Sequence, residues 1–281
     1  MKGFNFILPT FFLILVFAES FFPLRKFSLP RLPRILRNLS LSFVGFIVIK
    51  LAFLPYLLSF SGFVGEKKWG LLNQFALSSW PKIIISVILM DMTLYFWHLA
   101  NHKISFFWRF HLVHHTDLEM DASTAARFHF GELVLSVFFR ASQVLVFGID
   151  PTSLLIFETS VTFFALFHHS NIRLPISFER ILNKVFVTPR MHTIHHSLVL
   201  EETDSNFSAI FSFWDRPIKT LRLNISPAQI KIGVPNYQEP DQVTFLNLLG
   251  MPFKRLKKWA LKNGEVPIRK ATDLPISYLQ D

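Results

Sequence analysis

Residues 188–197 read TPRMHTIHHS, and residues 109–115 read RFHLVHH. In both, histidines recur at i, i+3 and i+4: His192, His195 and His196 in one, His111, His114 and His115 in the other. On a helix this spacing stacks side chains on one face. His98 and His102, in HLANH, stand at i, i+4 and share a face in the same way. All 11 histidines lie between positions 98 and 196. One buried imidazole is satisfied by a hydrogen bond. Eight that converge without a metal would leave buried donors and acceptors unpaired or bring like charges together. Eight neutral nitrogens are too many for one ion and suit two.

The composition narrows the metal. The chain has no cysteine, which excludes disulfides, thiolate zinc sites and iron–sulfur clusters. Imidazole suits Zn, Cu, Fe and Ni. The zinc-hydrolase pattern H-E-x-x-H is absent, since HLANH lacks the glutamate.

The rest of the chain reads as membrane protein. Apolar residues make up 51% and charged residues only 17%, and there are 34 phenylalanines; soluble domains carry roughly a quarter charged residues. The net charge of +10 comes from Lys and Arg flanking apolar spans, the positive-inside pattern, and no nucleic-acid partner is expected. Residues 4–24 predict a span rather than a cleaved signal peptide. Arg25, Lys26, Arg31, Arg34 and Arg37 mark residues 25–38 as a cytoplasmic loop, with Pro30 and Pro33 keeping it from being one long helix. Further spans are predicted over 39–60 and 80–100. A hairpin over 133–149 and 152–167 turns at Asp150-Pro151. The predicted fold is an all-α integral membrane protein of four to five membrane helices, with a histidine-rich di-metal site on the cytoplasmic side. Three regions follow: membrane helices with a basic loop over 1–80, a catalytic domain over 81–222, and a cytoplasmic tail over 223–281. In the tail, MPFKRLKKWALKN at 251–263 reads as an interfacial helix or, equally, a solvated one.

HLANH, RFHLVHH, STAARFHFGE, FHHSNIRLP, TPRMHTIHHS and ETDSNFSAIFSFWDR together resemble the fatty acid hydroxylase/sterol desaturase superfamily of membrane non-haem di-iron oxygenases. The similarity runs from about Asp91 to Arg222. It implies two iron ions, O2 as co-substrate, and hydroxylation or desaturation of a sterol or fatty acyl lipid drawn from the bilayer. By resemblance the metal ligands are His98, His102, His111, His114, His115, His192, His195 and His196, with His169 favoured over His168 in FHHSN. His129, in R-x-H-x-x-E, is a ligand or a support. Asp91, Asn171 and Asn206 are candidate supports that orient imidazoles, as are Tyr95, Asn101, Asp117, Glu132 and Asp204. Arg127 and Arg190 are candidates for a lipid headgroup or the membrane surface. Two departures stand out: Phe130 occupies a position where proline is common, and DRPIKT replaces a Gly-Thr turn.

With neither a G-x-G-x-x-G fingerprint nor cysteines, the chain is expected to take electrons from a separate donor of ferredoxin or cytochrome/reductase type. A basic face would attract an acidic partner. The expected location is the bacterial inner membrane, with the endoplasmic reticulum as the alternative. Rival readings are a histidine-ligated haem protein, which predicts isolated pairs rather than triplets, and a metal transporter or sensor, which predicts ligands at the bilayer midplane.

Overall fold

A computed structural model describes residues 4–269. Among them the regular structure is helical, with isolated β-bridges and no strand. Helix α1 (Phe4–Phe21) is apolar along its length and exposes Phe6, Leu13 and Phe17. Helix α2 (Arg31–Ala52) begins directly after Pro30. Pro33 falls in its first turn, where no intrahelical hydrogen bond is lost. The two prolines therefore start a helix instead of delaying one, and Arg31, Arg34 and Arg37 lie on α2 rather than in a loop.

The expected span over 39–60 is two helices. The α2 ladder ends where the Phe53 N–H donates to the Ile49 carbonyl at 3.1 Å, and Pro55 opens α3 (Leu54–Glu66). Helix α4 (Ser79–Lys103) takes Pro81 in its first turn. Only Ile104 separates it from α5 (Ser105–His115). Helices α6 (Phe130–Phe147) and α7 (Pro151–His169) form the expected hairpin. Gly148 turns the chain at φ 72°, a left-handed conformation that suits glycine. The Asp150 carboxylate then accepts the N–H groups of Thr152 and Ser153, both at 3.0 Å. Gly70 backs onto Gly148 so closely that a Cβ on it would collide with the Gly148 backbone nitrogen.

Among the described residues, three segments are long and apolar enough to cross a membrane: Arg31–Ile49, Ser79–Lys103 and Phe130–Phe147. Phe6–Phe21 is apolar but shorter. Helix α7 has the length, but Thr152, Ser153, Glu158, Thr159, Ser160 and Thr162 lower its hydropathy. Leu57, Val64, Met90, Val144, Leu154 and Phe157 fill the bundle between α3, α4, α6 and α7.

The site end of the bundle gathers the C-terminal ends of α1, α4 and α7 and the N-terminal ends of α2 and α6. Glu19 of α1 accepts the N–H groups of Ala122 at 2.8 Å and Asn171 at 2.7 Å. On α2, Arg34 pairs with Asp117 at 2.8 Å and with Asp121. Two short helices follow, α8 (Ile176–Leu182) and α9 (Pro189–His195). The described chain from 196 to 269 is mostly irregular. Residues 251–263 are a correction: a single 3-10 turn, Met251–Phe253, is followed by irregular chain, not by an interfacial helix. Trp259 explains why. Its indole N–H donates to the Leu198 carbonyl at 2.8 Å, and its ring joins the core around Leu112 and Val113, so the segment is tied inward residue by residue.

Candidate metal centre

Each histidine pair or triplet ends a helix. His98 and His102 occupy the last two turns of α4; on α5, His114 and His115 lie in the last turn and His111 just before it. His169 is the final residue of α7. On α9, Thr188 caps the helix, Pro189 opens it, and His192 and His195 follow; His196 is the first residue beyond it. The sharp break at Ile104 folds α5 back so that its histidines meet those of α4.

The nine imidazoles divide into two groups. His98, His102, His111, His115 and His195 form one; His114, His169, His192 and His196 form the other. Within each group the potential ligand atoms lie within 4.8 Å of one another. The two triplets are thus shared between groups: α5 sends His111 and His115 to one and His114 to the other, and the α9 segment sends His195 to one and His192 and His196 to the other.

The outward nitrogens show which way the rings point. Nδ1 of His98 lies 2.8 Å from the Phe207 carbonyl, that of His195 2.7 Å from Ser205, and that of His169 2.8 Å from Ala165. His111 Nδ1 lies 2.8 Å from Glu132 Oε1. In a neutral imidazole a proton on Nδ1 leaves Nε2 as a lone pair. The Nε2 atoms converge: His169 to His114 at 3.0 Å, His192 to His169 at 3.1 Å, and His196 to His192 and His115 to His111 at 3.2 Å. Nε2 of His98, His102 and His195 is buried with no protein partner. Burial pushes His114, His115, His192, His195 and His196 well below their ordinary pKa of 6.5, and neighbouring imidazoles add to the effect. Neutral rings with bare, converging lone pairs are what a pair of metal ions requires. The donor set fits two nitrogen-ligated ions.

Other predicted residues fall elsewhere. His129 belongs to neither group. Its Nδ1 accepts the Gly131 N–H at 2.9 Å, capping α6, and its Nε2 lies 3.1 Å from the Leu249 carbonyl; both nitrogens are used. His168 is buried with its ring centroid 4.1 Å from that of His192, yet it too stands outside both groups. Asp91, Asn171 and Asn206 touch no imidazole. Asp91 accepts the N–H groups of Ile210 and Phe211, both at 3.1 Å, and the Trp214 indole N–H at 2.8 Å. It holds the loop whose Phe207 carbonyl orients His98. Asn206, at φ 56°, ties the Met191 carbonyl of α9 to Arg222. The Asn171 side chain clasps the Arg25 backbone.

Tyr95 meets Thr220 at 2.7 Å, and Asp117 serves the α2 anchor. Glu132 meets His111 directly, and Asp204 lies 3.7 Å from His102. Arg127 is fully buried and donates to Val113, Thr116 and Asn38, so it cannot meet a headgroup. Arg190 pairs with Glu179 at 3.0 Å. The carbonyls of Phe207, Ser205 and Ala165 have no sequence signal, because a backbone oxygen is the same in every residue. Nor is there one for the walls: Phe128 stacks on His114 at 4.4 Å, and Trp108 stands 5.1 Å from His102, centroid to centroid.

The fatty acid hydroxylase family model matches residues 83–220. An ornithine lipid hydroxylase of Rhizobium tropici is 27% identical over 187 residues, covering 65% of this chain and 54% of that protein. Human (Homo sapiens) cholesterol 25-hydroxylase is 29% identical over 148 residues, 52% of this chain and 53% of its own. An alkylglycerol monooxygenase of Caenorhabditis elegans is 27% identical over 138 residues, 49% of this chain and 26% of its own. The chain thus spans about half the length of the first two relatives. No solved structure matches it.

Proposed function

We propose, for a chain whose residues 83–220 belong to the fatty acid hydroxylase family, that this membrane protein hydroxylates a lipid with O2 at a pair of iron ions. His98, His102, His111, His115 and His195 hold one ion, and His114, His169, His192 and His196 the other. The observation that carries the reading is the division of nine imidazoles into two groups, one of five and one of four. Two irons so held would supply O2 activation and insertion of one oxygen atom into a C–H bond.

The chain's own part is orientation and exclusion of water. Glu132 and the carbonyls of Phe207, Ser205 and Ala165 fix the tautomers of four rings. Asp91 and Asp215 hold the 207–215 loop in place from either side. Phe128, Trp108 and Phe207 wall the site from solvent. The relatives are named as hydroxylases and a monooxygenase, which favours oxygen insertion over desaturation. Their substrates differ, so the substrate class proposed is a membrane lipid without further restriction. The electron donor is a separate protein. Arg25, Lys26, Arg31, Arg34 and Arg37 gather at the site end, supporting a site on the cytoplasmic side, in a bacterial inner membrane or, alternatively, the endoplasmic reticulum.

The test is metal content of detergent-purified protein by elemental analysis with Mössbauer spectroscopy, followed by 18O2 labelling. Two irons per chain, one for each group, and one 18O atom in a hydroxylated lipid are expected. His195→Ala is expected to abolish labelling and lower iron content. Full activity in that variant with unchanged iron content would overturn the assignment. So would zinc that iron cannot replace under anaerobic loading.

A further inference from the structure

Inserting one oxygen atom of O2 into a C–H bond, with the other leaving as water, takes two electrons and two protons. The sequence has no cysteine for an iron–sulfur carrier and no G-x-G-x-x-G fingerprint, and the reading above takes the electrons from a separate donor. One surface is built for it. Residues 254–262, KRLKKWALK, carry Lys254, Arg255, Lys257, Lys258 and Lys262 and no acidic residue, and all five cations are exposed. Within this run Trp259 is half-buried and pinned by its bond to Leu198. Its ring centroid lies 6.1 Å from that of Trp108. Trp108 in turn lies 5.1 Å from His102, 5.5 Å from His115 and 6.2 Å from His111, all in the five-histidine group. The contact is fixed from the other side by Arg109, which donates to the Lys254 carbonyl at 2.9 Å.

We propose that residues 254–262 are the docking surface for a small acidic one-electron donor protein, with Trp259 and Trp108 bridging it to the five-histidine group. The inference rests on the oxygenase reading above. Charge complementarity selects the partner: a run of five exposed cations, of which Lys262 has a carboxylate neighbour in Glu239 at 3.7 Å, attracts an acidic protein and orients it on approach. The aromatic pair supplies the route, because electron transfer falls steeply with distance through saturated groups and two neighbouring indoles, tilted at 41°, shorten the gap. Each encounter oxidises the donor by one electron and reduces the metal centre by one. Two encounters supply one turnover, and the two protons come from solvent.

The probe is a reduced plant-type [2Fe–2S] ferredoxin with its NADPH reductase, and the full chain is held in nanodiscs of neutral phosphatidylcholine. Two readouts are taken: ferredoxin binding by surface plasmon resonance, and donor-driven product formation divided by the same sample's dithionite-driven rate. Arg255→Glu with Lys258→Glu changes two side chains that make no ion pair among the described residues. Ferredoxin binding is expected to weaken at least tenfold, the half-saturating ferredoxin concentration to rise, and salt to weaken binding in the parent far more than in the variant. Trp259→Leu is expected to lower the normalised maximal rate at least tenfold at unchanged ferredoxin binding, with Trp259→Phe recovering most of it. Unchanged binding and unchanged ratios in the charge variant would overturn the proposal. So would a parent that captures vesicles of phosphatidylglycerol but not ferredoxin, which would assign the run to anionic lipid. A parent silent with both reductants would instead remove the oxygenase reading itself.

Discussion

The two histidine groups share α5 and the α9 segment, with α4 serving one alone and α7 the other, and they are backed differently. Behind the five-histidine group stand acceptors on three rings: the Phe207 carbonyl on His98, the Ser205 carbonyl on His195 and Glu132 on His111. The Asp204 carboxylate lies 3.7 Å from His102, beyond hydrogen-bond reach. Behind the four-histidine group only His169 has such a partner, the Ala165 carbonyl. Nδ1 of His114, His192 and His196 is buried with no protein partner. A ring whose outer N–H is held keeps its tautomer and orientation, and a carboxylate there raises ligand basicity. The five-histidine group should therefore grip its ion tightly and stay rigid. The four-histidine group, with fewer ligands and looser rings, is the side better suited to accept exogenous oxygen species.

The largest effect should come from the loop that serves the tighter group. Asp91→Ala leaves two backbone N–H groups and one indole N–H without their acceptor. At roughly 1–3 kcal/mol for each buried donor stranded, the loss should be about 3 kcal/mol or more. Thermal unfolding in detergent measures it. A shift too small to resolve would show that the loop does not depend on Asp91, and with it that the five-histidine side is no better anchored than the other.

Next comes the carboxylate itself. Glu132→Gln removes the charge behind His111 and is expected to weaken metal binding by about 10–100-fold, at the five-histidine group alone. In the parent, chelator titration followed by Mössbauer spectroscopy should release the four-histidine ion first. In the variant the two releases should merge. Simultaneous release in the parent would erase the contrast between the groups.

Acid should strike both groups. His114, His115, His192, His195 and His196 are held by burial well below 6.5. In the unfolded chain they titrate near that value. As pH falls below about 6.5 the unfolded state binds protons the folded state refuses, so stability falls with pH. Each such group contributes about 1.4 kcal/mol per pH unit. Metal-free protein should thus destabilise steeply from pH 6.5 downward and be steadiest above pH 7. Equal melting temperatures at pH 7.5 and 5.5 would contradict the neutral-ring reading.

Sequence spacing exposed much of this. The i, i+3, i+4 triplets and the His98/His102 pair account for eight of the nine grouped imidazoles; the resemblance favours His169 over His168, and the structure places His169 in a group and His168 outside both. What spacing could not show is the sharing of each triplet between two groups, because that depends on how α5 folds back at Ile104. In the sequence Pro30 and Pro33 suggest breaks, yet a proline in a first turn starts a helix. The run at 251–263 has the composition of an interfacial helix, but Trp259 finds its partner in Leu198 and the helix never forms. Arg127 and Asp117 read as surface or supporting groups. They lie instead in a buried network with Arg34 and Asn38, a long-range pairing no local pattern encodes.

His129 gives the finest division between ligand and scaffold. It sits in a histidine-rich stretch and resembles a ligand in sequence, but both its nitrogens are engaged by backbone: Nδ1 with the Gly131 N–H and Nε2 with the Leu249 carbonyl. As the cap of α6 it satisfies a donor that the helix cannot, and removing a capping side chain costs about 1 kcal/mol. His129→Asn keeps an acceptor for the Gly131 N–H but loses the reach to Leu249, so the cost should be below that of His129→Ala. Neither variant should change the iron count, whereas His114→Ala, one α5 residue in direct contact with the four-histidine group, should lower it. An iron loss in His129→Ala as large as in His114→Ala would place His129 among the ligands and break the division into five and four.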